Sequence, residues 1–418
     1  MKKMKYILPT ILSLSVTGAG LVMSGQAVAH QPKHEKAASE CVGPQAEPSP
    51  RCAETPTPLF DAKGHLWLTW TQNGYVYVAR SEDGGASFAA SAKVAPKPLD
   101  IEKNGENRPK IAVSPDGSLY VAFTVKGEQK YSGIVYFSRS TDGGKVFSPP
   151  VVITDEDKPV SQSFETLNVG ADGRIHISWI DKRDREAAKQ QQKKYAGSAI
   201  YYAYSDDGGK SFSANIKLAD HSCECCRITM AIDGAGSPVI AWRHVFEGNI
   251  RDHALMKLNA DGSPGRLTRV SEDLWKLDGC PHHGPALAIG DNGVLHIVWF
   301  TDGAARKGLF YAHSEDGGNA FSAPYGFGNR SNRAARPHVL AAGGKTFVAW
   351  KEFTGETGEI FVMESGDDGR TWSKPLRIST TADTSDHPLL VHDGRSVYLS
   401  WATLAEGWRL FKVGGNAP

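Results

Sequence analysis

The 418-residue chain carries almost no net charge, with 47 Lys and Arg against 46 Asp and Glu. Lys2, Lys3 and Lys5 lie in a segment expected to be removed, which leaves 44 basic and 46 acidic residues, a balance of −2. A chain so balanced lacks the electrostatic footprint of a nucleic-acid binder, and none is expected as a partner. After residue 29 no stretch is long and apolar enough to cross a bilayer, so no membrane span is expected in the mature chain. Cysteine is scarce at six residues, and none closely follows the N-terminal apolar run, which argues against a lipid anchor. Glycine and proline are plentiful, 44 and 23, as suits a chain of many short strands and turns.

The N-terminus has the layout of a secretory leader. Met1 to Lys5 are basic, Tyr6 to Met23 are apolar, and Ala27-Val28-Ala29 forms a small-residue cleavage site. Cleavage after Ala29 would place the mature protein in the periplasm or outside the cell. His30 would then be the new terminus, where its amine and imidazole, with His34 nearby, offer a place for a copper ion. Residues 30–55 are polar and Pro-containing and read as an irregular lead-in. In an oxidising compartment Cys41 and Cys52 are expected to close it with a local disulfide.

The main chain, residues 56–418, is organised by one repeated stretch. Ser81 to Phe88 reads Ser-Glu-Asp-Gly-Gly-Ala-Ser-Phe, and close copies run over Ser140 to Phe147, Ser205 to Phe212, Ser314 to Phe321 and Ser365 to Trp372. Each keeps Ser, then Asp two places on, Gly two places later and an aromatic at the eighth position. Asp in such a turn accepts backbone N–H groups, Gly supplies positive φ, and the aromatic plugs the turn onto a core. The copies start 59, 65, 109 and 51 residues apart, so the long interval hides a further copy, in the fourth unit, where Asn259-Ala260-Asp261-Gly262 replaces the motif.

Upstream lies a second pattern, a strand of alternating apolar residues ending at Trp70, Phe123, Trp179, Trp242, Trp299, Trp350 or Trp401. Seven such units predict an all-β propeller of seven blades with four strands each. The seventh unit ends after its third strand, and the N-terminal segment is the candidate to supply the fourth. Lys182 to Lys194, charged and Gln-rich, reads as a solvated loop or short helix. Val245 to His253 carries mixed charges and no legible motif.

The five turns resemble the Asp-box, or bacterial neuraminidase, repeat of the sialidase-like propellers. That resemblance covers most of residues 56–414 and implies that each box joins the third and fourth strands of a blade, away from the catalytic face. Sialidases themselves have six blades, so six is the alternative count.

In a propeller the first strand of each blade lines the central channel. Aligning the units on Pro58, Pro109, Thr166, Ile228, Pro285, Pro337 and Pro388 places Thr57, Arg108, Glu165, Arg227, Gly284, Arg336 and His387 at its mouth. Three arginines around one channel suit a carboxylate, sulfate or phosphate. The register sets His387 beside the arginines as a further ligand-binding candidate; by resemblance, Arg108, Arg227 and Arg336 would hold the carboxylate of an acidic sugar, and Glu165 would carry part of a glycosidase's catalytic role. The family's Arg-Ile-Pro signature is absent, no ring position is Tyr, and Tyr325, Asp386 and Asp100 stand in loops without assignable roles. A competing reading is that these charges neutralise one another.

Cys223-Glu224-Cys225-Cys226 directly precedes the fourth blade and Cys280-Pro281-His282-His283 the fifth, with Cys226 and Cys280 54 residues apart, about one blade. The two clusters should meet. Three readings stay open: disulfides, a copper or zinc site using these four thiols with His282 and His283, or a redox-active thiol pair. The sequence therefore supports two functions, an exported glycosidase or lectin-like binder of an acidic glycan or other small anion, and an envelope copper protein. A purely structural propeller is the third option. A monomer is expected.

Overall fold

Alternating apolar strands must bury one face each, and here they do so by stacking sheet against sheet around an axis. The computed structural model describes residues 39–43, 45–129, 132–156 and 160–414. The leader, its cleavage site, His30 and His34 lie outside the described residues. Seven antiparallel sheets follow one another along the chain, six of four strands and the last of three. This is a seven-bladed β-propeller, and the six-bladed alternative is excluded. Its only α-helix among the described residues is Arg183–Gln190, in the charged stretch of the third unit, and none of the described helices is long and apolar enough to cross a membrane.

The innermost strands are Glu54–Phe60, Lys110–Val113, Gln162–Val169, Thr229–Ile232, Ala286–Ile289, Ala335–Ala342 and Leu389–His392. Behind each lies a second strand bearing the predicted aromatic. Trp70, Phe123, Trp179, Trp242, Trp299, Trp350 and Trp401 are all at most 1% exposed, so each anchors its blade. The strands continue one to three residues past these aromatics, and the buried indole N–H groups find acceptors either just beyond on the chain or on a neighbouring segment. Trp179 donates to Asp181 Oδ2 at 2.9 Å, Trp350 to Glu352 Oε1 at 2.8 Å and Trp401 to the Asp386 carbonyl at 3.1 Å.

Seven apolar clusters each span two neighbouring blades, so the core is a set of radial seams. The Ser-x-Asp-x-Gly turns hold these seams from outside. In all five, the Ser Oγ meets the Asp carboxylate at 2.7 or 2.8 Å. The Gly N–H donates back to that Ser at 2.8–3.0 Å. Each turn sits between the third and fourth strands of its blade, and its aromatic packs on the blade before it. Phe212 meets Phe137 edge-on at 5.0 Å, Trp372 meets Tyr311 at 4.8 Å, and Phe88 meets Trp408 at 5.6 Å. The last pair joins the first blade to the seventh and closes the ring.

Among the described residues, the N-terminal segment supplies no fourth strand to blade seven. It folds as 3-10 turns at Ser39–Cys41 and Pro50–Cys52, tied by the Cys41–Cys52 disulfide, as expected from the sequence. The Arg51 guanidinium donates to the Ala405 carbonyl at 3.1 Å. Gly407 lets the two backbones touch, since a Cβ there would lie 2.6 Å from the Arg51 carbonyl oxygen. Proline at position 50 leaves no N–H for a ladder, so the segment plugs the gap as a turn.

The turn carboxylates are held below their ordinary range. Ser87 hydroxyl and N–H hydrogen bonds, with the Ser81 hydroxyl, bring Asp83 to about 2, and Asp367 stands at about 2 for the same reasons. A carboxylate with a depressed folded-state pKa contributes stability above its free value, 3.8 here, that is lost as pH falls toward about 2. An Asp83→Asn variant should therefore melt below wild type at pH 7, with the gap narrowing as the buffer is taken from pH 4 toward about 2. A gap independent of pH would show that the carboxylate's charge is not what secures the turn.

Candidate functional site

Five of the seven aligned ring residues line one cavity, and Glu165 and Gly284 do not. A cavity of about 220 Å³ opens at the axis, lined by Pro58, Thr166, Ile228, Pro285, Pro337 and Pro388 of the aligned positions. Thr57, Arg108, Arg227, Arg336 and His387 line it as well. Among these, a β-bulge re-aims the chain at Arg336, whose own φ is +58°. Similar bulges interrupt the innermost strands of blades one and three beside Thr55 and Phe164, at φ +48° and +59°. Non-glycine residues rarely adopt this region, and such strain collects at ligand-facing positions.

The organising residue is one the sequence did not nominate. Glu106 projects from the turn before blade two, a turn capped by Asn104, whose Oδ1 accepts the Glu106 and Asn107 N–H groups at 2.9 Å each. Its carboxylate, 3% exposed, accepts Arg227 Nη1 at 2.7 Å and Arg336 Nη1 at 3.0 Å. It also accepts the N–H groups of Arg227 at 3.1 Å and Gly284 at 2.8 Å. Burial alone would raise its pKa, but the two guanidinium groups outweigh that and hold it below the usual range. Gly284 is required here, because a Cβ would lie 2.2 Å from the Arg227 carbonyl oxygen.

The three arginines are not equivalent. Arg108 pairs with Asp386 at 2.8 Å and donates to the Pro56 carbonyl at 2.9 Å, linking blades one, two and seven. Arg227 also donates through Nε to Pro285 O at 3.0 Å and through Nη2 to Pro337 O at 2.9 Å, linking blades four, five and six. Arg336 uses only Nη1, toward Glu106 and the His282 carbonyl, and its Nε and Nη2 have no hydrogen bond among the described residues. The three-arginine clamp read from the sequence is thus two inter-blade ties and one guanidinium with donors to spare. Neutralisation by carboxylates is a large part of what the ring does.

Lys110, also missed, lines the cavity and donates to the Arg108 carbonyl at 2.7 Å. Burial pulls its pKa down to about 8, against the opposing pull of Glu165. His387 adjoins Glu106 at 3.8 Å, and burial beside three arginines pushes its pKa well below the ordinary value, so it is neutral at pH 7. Glu165 is 1% exposed and accepts Thr124 Oγ1 at 2.6 Å. It does not line the cavity, where Thr166 stands instead. Of the unassigned loop residues, Asp386 joins the ring through Arg108. Tyr325 lies on an outer strand against Trp372, and Asp100 pairs with Lys126, so both stand away from the cavity.

Beside the mouth, in the seam of blades three and four, Cys223, Cys225 and Cys226 are buried with sulfur atoms within 4.8 Å of one another. All four cysteines outside the N-terminal segment are free thiols, and Cys280 reaches Cys225 from the fifth blade. His282 and His283 do not join this group. His282 turns its carbonyl to Arg336, and His283 stacks on Phe300 at 4.1 Å with Nδ1 lacking a partner.

No family model matches the chain, and none of the curated proteins does. Among solved structures it is similar to an ulvan lyase of a new family of polysaccharide lyases, with a TM-score of 0.56 and 11% identity over 87% of this chain and 94% of that one. A protein of unknown function from Dyadobacter fermentans DSM 18053 aligns with a TM-score of 0.51 and 15% identity, over 76% of this chain and 96% of that one. A Hadza microbial sialidase aligns at 0.49 and 14%, over 83% and 76%. At these identities the likeness is one of fold.

Glu106 is the member of the site whose loss should be felt most. Glu106→Ala leaves Arg227 and Arg336 buried without their counter-charge and should lower stability by ~3–5 kcal/mol in chemical denaturation. A loss under about 1 kcal/mol would show that solvent screens the pair as it does a surface ion pair.

Proposed function

We propose that the protein is an exported binder of an anionic ligand, an acidic sugar, taken at the axial cavity. Four cationic side chains, Arg108, Lys110, Arg227 and Arg336, line that cavity against two carboxylates that pair with them, Glu106 and Asp386, and this imbalance carries the reading. The free edge of Arg336, one quarter exposed and held in a strained backbone conformation, supplies a planar pair of donors matched to a carboxylate or sulfate. Lys110 adds a point charge on the other side, while Arg108 and Arg227 contribute field rather than direct contacts. His387, neutral, offers a ring face and an imidazole nitrogen. The solved structure of the ulvan lyase includes a complex with -[GlcA(1-4)Rha3S]-, an acidic and sulfated repeat, which is the ligand chemistry this cavity suits.

The five Ser-x-Asp-x-Gly turns support placing the chain with the sialidase-like Asp-box propellers. The division proposed is a leader over residues 1–29, a lead-in over 30–55 and the propeller over 56–418. A disulfide in the lead-in fits an oxidising compartment. Glu165, behind the cavity wall and with no Tyr nucleophile beside it, has no access to a bound sugar, and hydrolysis forms no part of the reading.

Isothermal titration with a uronate-containing oligosaccharide tests it. Wild-type protein should bind, and Arg336→Ala should weaken binding about 10- to 100-fold, the loss of one charge-assisted pair. Affinity should fall as pH rises through about 8, because Lys110 then loses its proton and the cavity a positive charge. Wild-type protein that binds neither the oligosaccharide nor free glucuronate or sulfate would leave the arginines a purely structural role.

A further inference from the structure

The thiols beside the mouth are not explained by anion binding. Cys223, Cys225 and Cys226 lie on the turn between the last strand of blade three, Ile216–Ser222, and the first of blade four, Thr229–Ile232. They are 0%, 7% and 1% exposed, whereas Cys280 is exposed and approaches Cys225 from the next blade. Cys223 Sγ lies 3.6 Å from Cys226 Sγ and 3.9 Å from Cys225 Sγ. These separations are too long for an S–S bond, about 2.05 Å. They match sulfurs that share one ion: with metal–sulfur distances of about 2.3 Å, ligands lie about 3.8 Å apart in a tetrahedron and about 4.0 Å apart in a trigonal plane.

The charge around the cluster is arranged for an anionic centre. Arg251, from the insertion between strands of blade four that has no legible motif, points Nη1 at Cys223 Sγ from 3.3 Å. Arg243, 1% exposed, holds the Arg251 carbonyl at 2.7 Å and lies over the Trp275 ring at 4.4 Å. Two arginines beside three buried thiols would balance a centre of three thiolates and one monovalent cation, whose net charge is −2.

We propose that Cys223, Cys225 and Cys226 form a trigonal thiolate site for a soft monovalent ion, Cu(I), with Cys280 as the solvent-facing thiol past which the ion enters. Sulfur-only ligation selects soft metals, Cu(I) among them. Three interior sulfurs with the fourth exposed suit three-coordination rather than the closed tetrahedron of structural zinc. Loading displaces the thiol protons and adds no other chemistry. The ion would also brace the anion site, because Cys226 precedes Arg227 in the chain and Cys280 stands two residues before His282, whose carbonyl holds Arg336.

The test is anaerobic titration of reduced full-length protein with Cu(I) against a chromophoric Cu(I) chelator. The expected result is one Cu(I) retained per chain, with three sulfur ligands by X-ray absorption and a higher thermal midpoint. Cys225→Ser should weaken retention by more than about 100-fold, beyond the range for disturbing a supporting residue of a metal site. Arg336→Ala should keep full stoichiometry, which separates this site from the anion cavity. Complete loss of copper to the chelator, with all four thiols reduced, would overturn the proposal, as would retention of Zn(II) but not Cu(I). The wild-type measurements decide it even if the Cys225 variant fails to fold.

Discussion

One buried carboxylate holds the axis of this molecule together. Glu106 receives two guanidinium groups and two backbone N–H groups from outside its own blade, so that blades two, four, five and six meet at a single side chain. Charges of this kind are costly to bury and tolerable only when every lone pair is engaged. Here the cost is offset by geometry: each partner comes from the same position of a different repeat, so the ring's symmetry delivers donors to one point. The positive lining of the cavity is what remains after Glu106 and Asp386 have taken their share.

The rim of the propeller obeys a separate logic. There the Ser-x-Asp-x-Gly turns satisfy their own polar groups locally and use one aromatic apiece to grip the preceding blade. A motif of eight residues thus fixes both a hairpin and a seam, which explains why the copies can diverge elsewhere. Ring closure follows the same rule, through Phe88 on Trp408, so the three-stranded seventh blade needs no borrowed strand.

How much of this was legible follows from what repeats. Period-two alternation ending in Trp or Phe marked every second strand, and the proline-rich register marked the residues around the axis, because both recur seven times. Glu106, Lys110 and Arg251 recur nowhere. Glu106 stands two places before the aligned Arg108 in a turn, and only coordinates show that it reaches across the channel. Arg251 sits in a stretch of mixed charge with no pattern, yet it faces the thiols. Nor could alternation reveal the bulge at Arg336, the one guanidinium of the three that keeps donors to spare. The two histidines after Cys280 adjoin the thiols in sequence, but the His282 carbonyl meets Arg336 and the His283 ring stacks on Phe300.

The anion cavity and the thiol cluster share a boundary at Cys226–Arg227, and the reading of the whole molecule turns on whether that mouth holds a ligand. Crystals grown with selenate, whose anomalous scattering marks a sulfate-like ion directly, give the most direct answer. The account predicts a selenium peak in the axial cavity within hydrogen-bonding reach of Arg336 and Lys110. A cavity without a peak, with Arg336 turned away from it, would contradict the account and leave the ring as ion pairs that serve the fold alone.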